Sequence, residues 1–69
     1  MDEIIFLVDE SDEGGYIAKA LSASIVTEAE TLEELRMMIR DAVHCHFNNP
    51  DEMPRLIRLH FVRDEVLAV

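Results

Sequence analysis

The sequence has no tryptophan, one tyrosine, three phenylalanines, two glycines and two prolines among its 69 residues. So little glycine and proline, combined with 49% hydrophobic residues, excludes a disordered low-complexity chain and indicates a globular domain. The apolar residues form no run of about twenty, the length that a membrane-spanning helix needs. A chain of this length is expected to form a single domain over residues 1–69.

Cysteine is also nearly absent. The single cysteine, Cys45, excludes a disulfide within the chain and agrees with a reducing compartment. The chain opens with Met-Asp-Glu, whereas a secretory signal would carry basic residues at this point. We therefore expect a cytoplasmic protein.

Basic residues are few and unevenly placed. Residues 1–34 contain ten acidic residues and one lysine, whereas residues 35–69 contain five acidic residues and five arginines. The net charge of −9 therefore arises entirely in the first half of the chain. Such a field repels phosphate groups, which disfavours direct nucleic-acid binding, and it attracts basic proteins.

Three strands are predicted before any helix. The first, Glu3–Asp9, contains five consecutive apolar residues, and strand alternation places them on two faces. One face receives Ile4, Phe6 and Val8, and the other receives Ile5 and Leu7. The acidic stretch after this strand ends in Gly14 and Gly15, which predict a turn into a returning strand, Tyr16–Leu21. A third strand is expected over residues 24–27.

One helix is predicted from its capping signal and its apolar spacing. Thr31 and Glu34 fit a capping box, in which the hydroxyl and the carboxylate each accept a free backbone N–H. The apolar stripe that follows consists of Leu32, Leu35, Ile39, Ala42 and Val43. The helix should end near Phe47, because the Asn-Asn-Pro sequence that follows does not continue a helix.

The final element is a strand over Arg55–Val62, so the order is β-β-β-α-β. We expect an α+β fold, a small antiparallel sheet with one helix packed on one face. One helix covers one face only, and below about 70–80 residues a lone core rarely supplies more than about 3–5 kcal/mol. We therefore expect a dimer or larger, and from the two possible strand faces we take Ile5 and Leu7 as the candidate interface.

The His-Cys-His stretch of residues 44–46, with His60 further on, is the obvious candidate for metal binding. On a helix, His44 and His46 lie about 200° apart, whereas a helical metal pair needs a spacing of three or four residues. His46 is expected in the apolar stripe, and Cys45 is expected at its flank as a small hydrophobic residue. We predict no metal, no cofactor and no catalytic site, since a Cys–His nucleophile would also need a third, orienting group.

The acidic turn is the more promising site. Asp9, Glu10, Asp12 and Glu13 lack the ligand spacing of a calcium loop, and carboxylates at a solvated tip are poorly suited to acid–base catalysis. We predict a partner-binding surface made of these acids and the residues that shape the turn. Its candidate residues are Asp9, Glu10, Asp12, Glu13, Gly14, Gly15 and Tyr16.

Two motifs stand out together, Gly14-Gly15-Tyr16 with Ala18, and Thr31-Leu32-Glu33-Glu34 at the start of the helix. Through them the chain resembles the HicB-like antitoxin superfamily, and the resemblance covers most of residues 3–47. It implies a sheet with one helix that masks a small basic ribonuclease-type toxin. Many members also carry a DNA-binding domain, which this chain is expected to lack.

Three functional hypotheses follow. The first is an antitoxin-like module that binds a basic protein and associates with itself. The second is an orphan homo-oligomer whose acids only keep it soluble. The third, a small metal-dependent or Cys/His enzyme, is the least favoured, and neither membrane nor nucleic-acid binding is expected.

Overall fold

The computed structural model describes residues 2–69. The strands are β1 (Glu3–Glu10), β2 (Tyr16–Ala20), β3 (Val26–Ala29) and β4 (Leu56–Val62), and the helix α1 (Leu32–His46) lies between β3 and β4. The predicted β-β-β-α-β order is confirmed, as is the α+β class with one helix on one face of the sheet.

The sheet is mixed, with the strand order β3-β2-β1-β4. β2 is antiparallel to both β1 and β3, but β4 runs parallel to β1, with Ile4 opposite Ile57 and Leu7 opposite His60. The expected fully antiparallel sheet is therefore corrected at β4. Two hairpins bring β3 back into the direction of β1, and α1 then returns the chain to the end where β1 begins. A strand that starts from this end lies parallel to β1.

The third strand lies two residues later than predicted. Residues 21–25 form the connection, closed by a hydrogen bond from the Ala20 N–H to the Ile25 carbonyl oxygen at 3.0 Å. Pairing then sets Ala18 opposite Thr27. Ile25 is buried before the strand begins, so its apolar character reflects the core and not a strand position.

The core lies between α1 and the sheet. Ile4, Phe6 and Val8 are buried on the helix side, as their alternation predicted. Leu35 and Ile39 are equally buried on α1, together with Val43, while Leu32 and Ala42 are half-buried beside them. The predicted strand face and helix stripe therefore pack against each other.

Both ends of α1 follow the predicted signals. The Thr31 hydroxyl accepts a hydrogen bond from the Glu34 N–H at 3.1 Å. The reciprocal bond, in which the Glu34 carboxylate would accept from the Thr31 N–H, is absent within residues 2–69, so half of the capping box forms. At the other end the Phe47 N–H donates to the Val43 carbonyl oxygen at 3.1 Å, and the helix stops at His46.

His46 and Cys45 are both exposed, which corrects their predicted positions in and beside the apolar stripe. The helix ends at His46, and the half-buried Phe47 packs against the core in its place. The two rings of His46 and Phe47 contact each other edge to face, with their centroids 5.0 Å apart. Helical periodicity overestimated the stripe because it was extended to the last helical residue.

The single helix of residues 2–69 lacks the length and the apolar character that a membrane crossing requires.

Candidate protein-binding surfaces

The turn between β1 and β2 is built around its two glycines. The Ser11 N–H donates to the Gly15 carbonyl oxygen at 2.9 Å, and the Gly14 N–H donates to the Ser11 carbonyl oxygen at 3.1 Å. The Ser11 hydroxyl also accepts from the Glu13 N–H at 3.3 Å. Gly14 has φ +92° and Gly15 has φ +88°, a backbone region that residues with a side chain rarely adopt. The predicted role of both glycines in shaping the turn is thus confirmed.

The four acids of this hairpin, Asp9, Glu10, Asp12 and Glu13, are all exposed, and we call them the acidic lip. Three of them, with Ser11, line one side of a concave surface of about 280 Å³. The other side is formed by Val62, Arg63 and Asp64 at the end of β4. The lip therefore faces a further acid and one arginine.

Sequence reasoning missed Arg63 and Asp64 as neighbours of the lip. They lie there because β4 is parallel to β1, which sets Asp9 opposite Val62 where both strands end. The signal for this arrangement was the even number of chain reversals between β1 and β4, two at the hairpins, one on entering α1 and one on leaving it.

Tyr16 occupies a different position from the acids beside it in sequence. It pairs with Glu10 on β1 and with Ala29 on β3, and it is half-buried against the core on the helix side of the sheet. Asp9 has the opposite strand parity and points to the other side. The structure thus brings Asp9, Glu10 and Asp12 to one concave surface. Tyr16 mainly packs within the subunit, and its contact with a partner stays a prediction.

The face of the sheet away from α1 is here called the open face. Ile5 and Leu7 lie at its centre and are half-buried within the single subunit. Their direct cross-strand neighbours are polar or charged, since Arg58 lies opposite Ile5 while Lys19 and His60 lie opposite Leu7. Strand register also places apolar side chains of each of the other three strands on this face. These are Ile17, Val26, Leu56 and Val62.

An ion pair crosses the open face from β1 to β4. The Arg58 Nε and Nη2 groups donate to the two carboxylate oxygens of Glu3, the second at 3.2 Å. This hydrogen bonding, aided by the positive charge of Arg58, lowers the pKa of Glu3 from its ordinary value of 4.5 and outweighs desolvation, which acts the other way. Both side chains remain partly exposed, at 29% and 65%. The ion pair therefore fixes the position of β4 beside β1 more than it stabilises the fold.

Two curated proteins match most of the chain. A UPF0150 protein of Thermotoga maritima is 46% identical over 67 residues, which cover 97% of this chain and 93% of that protein. A UPF0150 protein of Archaeoglobus fulgidus is 54% identical over 56 residues, covering 81% and 82% respectively. The chain belongs to the UPF0150 family. No protein-family profile and no solved structure matches it.

The UPF0150 chain has a second concave surface, which sequence reasoning missed. It lies between α1 and the first half of β4 and has a volume of about 540 Å³. Apolar side chains of both elements line it, among them Ile39, Ile57 and Leu59. Basic side chains also line it, namely Arg36, Arg40, His44 and Arg55. We call it the arginine groove.

The groove exists because α1 contacts β2 and β3 and leaves β4 at the edge of the sheet uncovered. Phe61, on the helix side of β4, is 49% exposed for the same reason. The available signal in the sequence was that all five arginines follow residue 34. Because five acids lie in the same half of the chain, its net charge of zero concealed this signal.

The histidines and the cysteine of the UPF0150 chain do not converge. His44 lies on the groove side of α1, Cys45 and His46 are exposed near its end, and His60 lies on the open face opposite Leu7. In the part of the chain from Asp2 onward, no three His, Cys, Asp or Glu side chains are grouped closely enough to hold one metal ion.

Proposed function

We propose that this UPF0150 chain is an antitoxin-like, HicB-like binding module and not an enzyme. Its acidic lip docks and masks a small basic protein of the ribonuclease-toxin type, while its open face joins it to a second copy in the cytoplasm. The observation that carries the proposal is the convergence of exposed carboxylates on one concave end of the molecule.

The charge and shape of this end support a basic partner. Asp9, Glu10 and Asp12 face Asp64 across the concavity, and Arg63 is the one base beside them. Complementary charge accelerates encounter with a basic protein and fixes its orientation. The hydrogen-bonded Ser11–Gly15 turn holds the carboxylates in place before a partner arrives, which lowers the cost of binding.

Self-association is supported by the open face. Ile5 and Leu7 lie at the centre of this face, which also carries apolar side chains from each of the other three strands, and the helix covers only the opposite side. A second copy placed on this face would remove these side chains from water, and this burial of apolar surface would stabilise the dimer.

The same apolar area favours a second candidate function, an orphan homo-oligomer whose acids keep it soluble. The two candidates differ in what the acidic lip does. The first requires a basic partner that the lip recognises, and the second requires only another copy of the chain.

The decisive experiment changes Asp9, Asp12 and Glu13 together to lysine. The probe is a small basic protein encoded beside the gene, where inspection finds one, captured on the immobilised chain at low and at high salt. We expect capture by the parent at low salt, release as salt rises, and loss of capture by the variant.

A matched variant with Glu33, Asp41 and Glu52 changed to lysine has the same net charge but an intact lip, and all three of these positions are exposed. It should retain most of the capture. If both variants lose capture equally, or if the variant with the changed lip still captures the probe, the proposal is overturned and the orphan homo-oligomer is favoured.

A further inference from the structure

The segment after β4, residues 63–69, contains apolar side chains that are largely exposed to solvent in the single subunit. All seven residues are exposed, Val66 at 94% and Leu67 at 77%. The acids Asp64 and Glu65 come immediately before them. A run of exposed apolar residues on a folded domain marks a contact surface.

The arginine groove has the complementary chemistry. Its floor includes Ile39, Ile57 and Leu59, and its rim carries Arg36 and Arg40. Across residues 2–69 the only ion pair is the one between Glu3 and Arg58, so the arginines of the groove have no acidic partner in the subunit. In a chain of net charge −9, such a basic apolar groove is suited to an acidic and apolar segment.

We infer that residues 63–69 of one copy dock in the arginine groove of a second copy, and that the exchange is reciprocal. Val66 and Leu67 pack on the apolar floor, while Asp64 and Glu65 pair with the arginines of the rim. The apolar contacts supply most of the affinity, and the charged pairs fix the orientation. This goes beyond the proposed function, since it uses neither the acidic lip's partner nor the open face.

The length of the segment favours a second copy over its own groove. The groove follows the first half of β4, from Leu56 to Leu59, whereas the segment leaves β4 after Val62. An extended residue covers about 3.3 Å, and a chain reversal uses about three or four residues. Folding back would therefore leave Val66 and Leu67 beside the second half of β4, short of Ile57. A segment that arrives from another copy has no such restriction.

The first test exchanges the charges of rim and segment. One variant carries Arg36→Glu and Arg40→Glu, and another carries Asp64→Arg and Glu65→Arg. Each variant alone places like charges together, so its self-association should be at least about tenfold weaker by sedimentation. An equimolar mixture should recover association, because each groove then meets a segment of opposite charge, and native mass spectrometry should show the mixed pair.

The mixture distinguishes docking between copies from docking within one chain. If mixing restores nothing while the four changes combined in one chain do, the segment folds into its own groove and the inference is wrong. Self-association that neither variant weakens would also overturn it. All four positions are exposed in the subunit, so circular dichroism should show an unchanged fold.

The second test is independent of any other interface. In a Cys45→Ala background, a chain with His44→Cys is mixed with a tagged chain that carries Leu67→Cys, and both are oxidised. A disulfide between the two chains is expected. The control replaces Leu67→Cys by Leu21→Cys, an exposed apolar position of 63% exposure in another part of the fold. Cross-linking that is no stronger than in this control would contradict the inference.

Discussion

At the scale of single residues, the hydroxyl of Thr27 is the unusual group in the core. Thr27 is 9% exposed on the helix side of β3, and its Oγ1 has no hydrogen-bond partner among residues 2–69. A buried polar atom without a partner loses its hydration and gains nothing in return. The fold is therefore less stable than its packing allows at this position.

We expect Thr27→Val to raise the free energy of unfolding by about 1 kcal/mol, because it removes the unpartnered hydroxyl and keeps the side-chain shape. Denaturant unfolding would measure the change. Thr27→Ala is the control, since it removes the same hydroxyl but leaves a small void, and it should lose most of that gain. A destabilised Thr27→Val chain would mean that the hydroxyl has a partner after all.

Gly14 and Gly15 allow a second test at this scale, because their backbones are alike but their surroundings differ. A Cβ on Gly14 would meet nothing within 4 Å, whereas one on Gly15 would lie 3.1 Å from the Ala29 carbonyl oxygen. Both alanine variants should lose about 1–2 kcal/mol from the positive φ alone. Gly15→Ala should lose more, because the edge of β3 must also shift. Equal losses of stability in thermal unfolding would show that β3 shifts away from the new Cβ without a measurable cost in free energy.

At the scale of elements, the sequence predicted what local chemistry determines. The alternation in β1, the glycine turn and the capped helix follow from residues close together in the chain, and their predicted faces are confirmed. The position of β3 was wrong by two residues because the register with β2 decides it. The direction of β4 was wrong because it depends on how α1 crosses the sheet, which no short pattern encodes.

The contact between Glu3 on β1 and Arg58 on β4 reports on that parallel pairing. The pKa of Glu3 is lower in the folded chain than its ordinary value of 4.5. Its contribution to stability is therefore present above pH 4.5 and disappears as the pH falls through the folded pKa.

We expect Glu3→Gln to be less stable than the parent at neutral pH and to approach it in acid, below the folded pKa of Glu3. Chemical denaturation across this pH range would show the two curves converging. Glu28→Gln is the control, because Glu28 is exposed on β3 and has no ionic partner within the described residues. A constant gap between Glu3→Gln and the parent would mean that the ion pair does not form in solution.

At the scale of the whole molecule, the acidic lip and the arginine groove lie on different surfaces. The acidic lip was predicted from the sequence because its residues are contiguous. The arginine groove was not, because Arg36 and Arg40 meet Arg55 only when β4 enters the sheet beside β1 under the uncovered flank of α1. Surfaces formed by distant segments thus depended on the one strand whose direction was mispredicted.

The open face gives the last prediction, which concerns assembly. Burial of Ile5 and Leu7 by a second copy would stabilise the pair through apolar area alone, so one carboxylate at the centre of the contact should prevent it. We expect Leu7→Asp to halve the mass measured by light scattering at micromolar concentration. Met37→Asp, at a 58% exposed position on α1, should leave the mass unchanged.

This result is separate from docking in the arginine groove, because Leu7→Asp leaves rim and segment intact and the mixed charge variants leave the open face intact. If the chain uses both contacts, each set of changes alone should halve the mass of the assembly. If Leu7→Asp remains folded by circular dichroism and keeps the mass of the parent, the open face is not an interface. Ile5 and Leu7 would then be tolerated in a single subunit because the surrounding strands already half-bury them.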